Sequence, residues 1–236
     1  MATTRRPGRK YNARHMDSFV SNRKEVDRLL EIHAGIAGTG QGRKHRVEVL
    51  NKSGIVLLVA CWEAYIEDLA TATFDLMLKN AKTHQTFSMK VLAKAAKELK
   101  DDKDERLIWN LAGDGWRSVL RDHRGEILQR YAGQLNTPRP DQIDELFGSL
   151  VGMTHLSRSW SWPHISADRA ARKLNDLVTL RGAIAHRVTA AKAVHKEDVA
   201  QYAKFVNMLA VVTHNAVLRF VEGRLGFAPW HEYTLA

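Results

Sequence analysis

The stretch IVLLVACWEAYIEDL, residues 55–69, decides the fold. Its apolar residues belong to a pattern with spacings of three and four that runs through residues 47–80, which predicts one long helix. Apolar side chains also occur on the other sides of this helix, so we expect it to be central in the fold. A membrane span needs about twenty consecutive apolar residues. The near-continuous apolar run from Gly54 to Trp62 is shorter, and it predicts a buried helix instead.

Helical spacing dominates the rest of the chain. Asp17 or Ser18, and later Ser166, are expected to cap the starts of helices, and Gly226 is expected to end the last one. Because no segment alternates as a strand does, the predicted fold class is all-α, a helical bundle. Its two long C-terminal helices, joined by residues 189–195, are expected to be antiparallel. Besides the central helix, the predicted helices are residues 17–37, 89–100, 116–131, 141–150, 166–188 and 196–225.

Charge is concentrated at the start of the chain. The formal net charge of the 236 residues is +10, and residues 1–15 hold five Lys or Arg residues and no acid. We predict that residues 1–15 are a basic disordered arm and that residues 16–230 are a single domain. A positive balance favours polyanionic partners, nucleic acid above all. An arm that only solubilises the protein explains the charge equally well.

The other bulk features favour a cytoplasmic protein. No apolar region follows the basic N-terminus, so we predict no secretory signal and no membrane partner. Cys61 is the lone cysteine, which excludes an internal disulfide and fits a reducing compartment. Its apolar neighbours predict an inert, packed thiol. The spacing of His155 and His164 lacks further partners at usual ligand intervals, so no metal site is predicted.

Arg181 breaks the pattern of its helix. Counted at 100° per residue, it falls within the apolar stripe that contains Leu174, Leu177 and Ile184. A guanidinium cannot lie unpaired in a dry core, so this stripe must meet an acid or a wet cleft. Gly182 follows, at a cost of about 1 kcal/mol relative to alanine. A glycine there lets another backbone or a ligand come close.

His186 lies five residues after Arg181, about 140° round an ideal helix. The two side chains therefore border one groove only if that groove lies between helices. The alternative is that Arg181 snorkels or pairs with Glu63 or Asp68, while His186 is an ordinary boundary histidine. A plain helical bundle, with Arg181 neutralised by a core acid, remains a possible reading of these residues.

The segment LVTLRGAIAH, residues 177–186, resembles the signature of the HEPN superfamily: an arginine, then a histidine near the end of the penultimate helix. The segment VHKEDV, residues 194–199, resembles the start of the last HEPN helix. Residues 55–69 resemble an early HEPN helix whose apolar run carries a glutamate, here Glu63. The resemblance is to the RiboL-PSP-type branch and covers about residues 47–80 and 165–225.

The resemblance implies a metal-independent endoribonuclease without a cofactor, acting on single-stranded RNA as a homodimer through the motif helices. His186 would be the general base or acid, and Arg181 would bind the phosphate. Glu63 would orient Arg181, although a boundary salt bridge also explains it. The family further implies a defence or toxin-type role, with an antitoxin or other partner protein. Gly182 replaces the polar residue that many active members carry, and it motivates the alternative of a non-catalytic module that binds RNA or a partner protein.

An aromatic segment precedes the motif helix. Trp160 and Trp162 lie two residues apart beside Arg158, and exposed tryptophans next to arginine stack on unpaired bases. We expect these three residues and Arg187 to bind RNA. The alternative is that one or both indole rings plug the end of the bundle.

Overall fold

The computed structural model describes residues 11–37, 48–132, 138–187 and 193–234, and within them the fold is all-helical. An isolated bridge between Trp162 and Ile165 is the one β-type pairing in these residues. No helix of the described part is long and apolar enough to cross a membrane. The helices are α1 (Arg14–Ala37), α2 (Glu48–Asn80), α3 (Met89–Ala95), α4 (Lys97–Asp101), α5 (Trp116–Ala132), α6 (Pro140–Leu150), α7 (Ala167–Arg187) and α8 (Lys196–Leu225).

Helix α2 is the centre of the bundle, as its apolar pattern predicts. Helices α1, α6, α7 and α8 all pack against it. Trp62, Ile66 and Leu69 on α2 have no exposed surface. A Cβ atom at Gly54 would lie 2.8 Å from a methyl group of Val199 on α8, so glycine is what permits the close approach of these two helices.

Helices α7 and α8 run antiparallel, which confirms the predicted arrangement. The Lys173 ammonium near the start of α7 lies 5.1 Å from the Phe205 ring centre in α8. Further along α7, Ala183 borders the same groove as His195, which immediately precedes α8. Both helices pack mainly on α2, and this groove separates them.

The folded domain begins before residue 16, which corrects the predicted boundary of the arm. The Tyr11 backbone N–H donates to the Pro229 carbonyl at 2.7 Å, and the Tyr11 hydroxyl donates to Asn80 at 3.0 Å. Helix α1 starts at Arg14, so the predicted cap at Asp17 or Ser18 is wrong. These contacts join positions far apart in sequence, so helical periodicity could not predict them. Residues 1–10 of the predicted arm lie outside the described residues.

His15 and His214 form a buried pair between α1 and α8. His15 Nε2 lies 2.9 Å from His214 Nδ1, and His214 Nε2 lies 2.9 Å from the His231 carbonyl oxygen. Because a carbonyl oxygen only accepts, His214 Nε2 donates and its Nδ1 accepts from His15. Burial, reinforced by His214, lowers the pKa of His15 to about 3. The pair is therefore neutral, and it fastens α1 and the C-terminal segment to α8.

The middle of the chain differs most from the sequence prediction. Residues 89–100 were expected to form one helix, but α3 ends at Ala95 and α4 begins at Lys97. Ala96 has ψ near 0° (−1°), and its N–H bonds back to Leu92 and Lys94, which closes the first helix. The segment between α6 and α7 contains a short helix, since Leu156–Ser159 form a 3₁₀ turn.

Candidate active site

Helix α7 carries the motif arginine on its packed face. Ser166 caps the start of α7 as predicted, accepting the Arg169 N–H at 3.4 Å. Leu177 and Val178, one turn before Arg181, are buried, and so is Ile184 after it. Arg181 between them is half-buried. The apolar stripe of α7 therefore reaches partly solvent-exposed surface at Arg181.

Glu63 on α2 lies within electrostatic reach of Arg181. Burial raises the pKa of Glu63, the nearby Glu67 raises it further, and the positive charge of Arg181 opposes both effects. The packing of α2 against α7 thus brings together two of the three predicted catalytic residues. Among the residues that the structure describes, none forms a hydrogen bond or ion pair with the Arg181 side chain. Arg181 is consequently not sealed against a core acid.

Two further carboxylates accompany Glu63 on α2: Asp68, which the sequence already suggested as a partner of Arg181, and Glu67, which it did not. Burial raises the pKa of Glu67, with the Asp68 charge adding to it, and burial alone raises the pKa of Asp68. Glu67 lies one helical turn after Glu63, a spacing that was available as a signal. Of these three acids, Glu63 is the one within electrostatic reach of Arg181.

The space beside Gly182 is open. A Cβ atom built there would meet nothing within 4 Å in the described part of the chain. The next residue on this side, Ala185, is exposed. Close packing inside the domain therefore does not require the glycine, and the surface next to Arg181 has room for a group from another molecule.

The backbones of His186 and Arg187 complete the last turn of α7, but their side chains lie outside what the structure describes. The predicted roles of His186 as base or acid and of Arg187 in RNA binding remain predictions. The structure describes no group of three His, Cys, Asp or Glu side chains placed to hold a metal ion.

The aromatic segment before α7 divides into a buried and an exposed part. Trp160 has no exposed surface, and its ring meets that of Trp62 edge-on at 6.2 Å. The prediction that Trp160 stacks on RNA bases is therefore wrong, because its ring fills the core beside α2. Trp162 is half-buried against Phe205, with ring centres 5.9 Å apart, and Arg158 is exposed. For Trp162 and Arg158, the RNA contact stays a prediction.

A groove lies elsewhere in the described residues, away from Arg181. It has a volume of about 790 Å³ between α7 and α8 and includes Asp176, Asp198 and Tyr202. Asp176 lies roughly 140° round α7 from Arg181, so the groove and the motif arginine occupy different sides of the helix. Its two carboxylates raise the pKa of Tyr202, after the larger effect of burial. A negative groove repels phosphate, which favours the Arg181 side as the candidate site for RNA.

Cys61 plays no part in this site. Its thiol is buried, and burial raises its pKa, although the Arg23 charge opposes the shift. A buried thiol with a raised pKa is a poor nucleophile, as the apolar neighbours of Cys61 predict.

Comparison with known proteins assigns the family. The family model described as RiboL-PSP-HEPN matches residues 17–219, and so includes residues 81–164, for which the sequence motifs gave no match. Searches of curated proteins and of solved structures return no match. The match covers most of the chain, spans the arginine–histidine motif and agrees with the all-helical fold. The chain belongs to the RiboL-PSP-HEPN family, whose domain is of the HEPN type.

Proposed function

We propose that this protein is a metal-independent endoribonuclease that cleaves single-stranded RNA with Arg181 and His186. The supporting observation is the state of Arg181: half-buried in an otherwise packed stripe, facing Glu63, beside open space, and without a partner among the described residues. A half-buried cation that forms no ion pair is available to an incoming anion. RNA phosphate is the anion that an HEPN-type domain suggests.

The proposed reaction is an internal transfer at phosphorus. The RNA 2′-oxygen forms a bond to the adjacent phosphorus while the bond from phosphorus to the 5′-oxygen breaks. His186 accepts the 2′-hydroxyl proton or supplies a proton to the departing 5′-oxygen, because an imidazole titrates near working pH. Arg181 donates hydrogen bonds to the phosphate oxygens as their negative charge grows. The products are a 2′,3′-cyclic phosphate end and a 5′-hydroxyl end.

Glu63 is assigned a supporting part. Its carboxylate attracts Arg181 from α2 and limits the directions that the guanidinium adopts. This assignment places Glu63 beside the arginine and not at the reacting atoms. The alternative role, a boundary salt bridge without catalytic effect, is less favoured because the described structure has no ion pair between the two residues.

The proposed active unit is a homodimer that joins the motif-bearing ends of two α7 helices. The open surface at Gly182 and the exposed Ala185 provide small residues next to Arg181 for such a contact. A shared cleft would supply two copies of His186, one to accept and one to donate a proton. In the cell, we propose a defence or toxin-type role, in which an antitoxin or other partner protein restrains the enzyme.

The test is cleavage of labelled single-stranded RNA in EDTA by the wild type, His186→Ala and His84→Ala. His84 is exposed and distant in sequence from the motif, which makes it the matched control. The proposal expects cleavage by the wild type and His84→Ala, with a 2′,3′-cyclic phosphate end, and none by His186→Ala. Cleavage by all three proteins would overturn the assignment of His186.

A second candidate function is a non-catalytic module that binds RNA or a partner protein, and Gly182 after the motif arginine favours it. On this alternative, none of the three proteins cleaves RNA. His186→Ala then binds RNA as tightly as the wild type does in an anisotropy titration.

A further inference from the structure

A small positively charged pocket lies where the end of α2 meets the start of α5. Its volume is about 340 Å³, and its walls are formed by Asp75, Leu78 and Lys79 of α2 and by Arg117 and Arg121 of α5. None of these residues belongs to the candidate active site. Its α5 wall lies in residues 81–164, for which the sequence motifs gave no match.

Arg117 is fixed in position as one wall of this pocket. Its two terminal nitrogens donate to the backbone carbonyls of Leu78 at 2.5 Å and Ala81 at 2.7 Å, and its Nε donates to Asp114 at 3.2 Å. Its guanidinium also lies 4.3 Å from the Trp116 ring centre. Arg117 therefore caps the C-terminal end of α2 and holds a positive charge at the pocket without rotamer freedom.

The remaining charges leave the pocket positive. Asp75 is neutralised by Arg124, whose Nη1 lies 3.4 Å from it. Lys79 is exposed, with its ammonium 5.7 Å from the Tyr11 ring centre, and Arg121 is exposed on α5. Neither Lys79 nor Arg121 forms an ion pair with another residue in the described part of the chain. Two cations on two different helices thus border one cavity, and the carboxylate in its wall, Asp75, is already paired with Arg124.

We propose that this pocket binds backbone phosphates of a single-stranded RNA, at a distance from the cleaved bond. Lys79 and Arg121 donate to the phosphate oxygens, while the fixed charge of Arg117 attracts the strand. Contacts to phosphate carry no base information, so the pocket anchors RNA without selecting its sequence. The choice of RNA as the polyanion rests on the proposed function, but the anion site itself rests on the charges and the cavity.

The geometry sets the length of RNA that the pocket can influence. Glu63, which faces Arg181, and Lys79, which borders the pocket, are sixteen residues apart on α2. At a rise of 1.5 Å and a turn of 100° per residue, the two sites are about 24 Å apart along the helix axis and about 160° apart around it, so a strand that reaches both must pass round the bundle. A dinucleotide cannot reach both, whereas a strand of many nucleotides can. The pocket therefore strengthens the binding of long strands only.

The experiment measures RNA binding by fluorescence anisotropy over a series of salt concentrations. The variant is Lys79→Gln/Arg121→Gln, since both side chains are exposed and neither supports the fold; Arg117 is left intact because it caps α2. The control is Arg28→Gln, which removes an exposed charge from α1 with no ion-pair partner among the described residues. All proteins also carry His186→Ala, so that the probes stay intact. The probes are a labelled dinucleotide and a labelled single strand long enough to span both sites.

The proposal expects the double variant to bind the long strand several-fold more weakly than the control does. The slope of log affinity against log salt should fall by about 1.4, or about 0.7 for each lost phosphate contact to a single strand. Dinucleotide binding should stay unchanged. Equal affinity of the double variant and the control for the long strand would overturn the proposal, as would an equal loss for both probes.

A second experiment adds inorganic phosphate as a competitor, at a concentration equal to that of the phosphate groups in the long strand. Little displacement of the long strand supports an RNA anchor, and complete displacement would overturn it in favour of a free-phosphate site. Failure of the proposed function can be told apart from failure of the anchor. If the proposed function is wrong, the protein with native His186 does not cleave RNA. Failure of the anchor alone leaves cleavage and its dependence on His186 intact.

Discussion

Two sides of one turn of α2 carry two polar regions of opposite character. On one side, Tyr65 lies beside the His15 and His214 rings, which are buried and joined by hydrogen bonds to each other and to the His231 carbonyl. On the other side, Glu63 lies within electrostatic reach of Arg181, which is half-buried and forms no hydrogen bond or ion pair with another described residue. The first region is neutral and closed, and the second is charged and open.

The difference separates polar groups that hold the fold from polar groups that are available to a ligand. A buried polar group stabilises the fold only if its hydrogen bonds are made internally, as those of the histidine pair largely are. A half-buried guanidinium that forms no ion pair adds little to folding. Substitutions in the His15–His214 pair should therefore lower the stability of the fold, and substitutions around Arg181 should lower activity.

The largest expected effect is acid destabilisation through His15. Its pKa is lowered from 6.5 to about 3, so below pH 6.5 the unfolded chain binds a proton that the folded chain does not. Stability is present above pH 6.5 and is lost as pH falls towards 3, by at most about 4–5 kcal/mol at 1.36 kcal/mol per unit. His214, whose pKa burial also lowers, acts in the same direction. Urea unfolding at pH 7 and pH 4 measures the loss.

The comparison protein for this prediction is His15→Gln, which keeps a hydrogen-bond donor to His214 but cannot titrate. Its stability should fall less between pH 7 and pH 4 than that of the wild type. The raised pKa values of Glu63, Glu67 and Asp68 work against the loss in both proteins, since these carboxyls gain protons more readily when folded. The same pH dependence in both proteins would contradict the assignment of His15 as the acid-sensitive link.

A smaller effect is expected from Glu63→Gln. It should lower the rate of RNA cleavage about tenfold, or about 1.4 kcal/mol in activation free energy, because the neutral amide orients Arg181 less firmly. The pKa of Glu63 is raised, so in the wild type the rate should fall with acidity at a pH above the usual carboxyl range. This fall in rate at acid pH should be absent from the pH–rate profile of Glu63→Gln. An unchanged rate and profile would leave Glu63 as a structural residue at the helix boundary.

The smallest effect is expected at Gly182. Alanine there meets no atom within 4 Å and suits a helix better, so Gly182→Ala should stabilise the folded chain by about 0.5–1 kcal/mol. The bulky Gly182→Trp should instead weaken the proposed dimer while leaving each domain folded. Sedimentation velocity of both variants gives the oligomeric state. A loss of stability in Gly182→Ala would mean that the space beside Arg181 is not open.

The long helices were predictable because each has its own apolar period. The bounds of α2 and α8 agree with the prediction within one residue, and Gly226, with φ 78°, ends α8 as expected. Arg181 was also predictable, because a charge inside an apolar stripe is visible without knowing the partner helix. Glu63 was named twice, as a possible ion-pair partner of Arg181 and through the family resemblance.

The rest of the fold depends on contacts between distant parts of the chain. Trp160 is buried because α2 provides Trp62 opposite it, and no local pattern distinguishes that ring from the half-exposed Trp162. Tyr11 and His15 are ordered by residues near positions 80, 214 and 229. The pocket at Lys79 and Arg121 likewise arises only when α5 reaches the end of α2.

The most direct test of the central claim compares RNA cleavage by Arg181→Ala and Arg172→Ala. Both arginines lie on α7, and Arg172 is exposed on it. Loss of one charge that stabilises the transition state lowers the rate about 10²–10³-fold, and a surface substitution changes stability within about 0.5 kcal/mol. We expect Arg181→Ala to lose cleavage by that factor while unfolding as the wild type does, and Arg172→Ala to retain both properties. Wild-type cleavage by Arg181→Ala, or loss of its fold, would contradict the account.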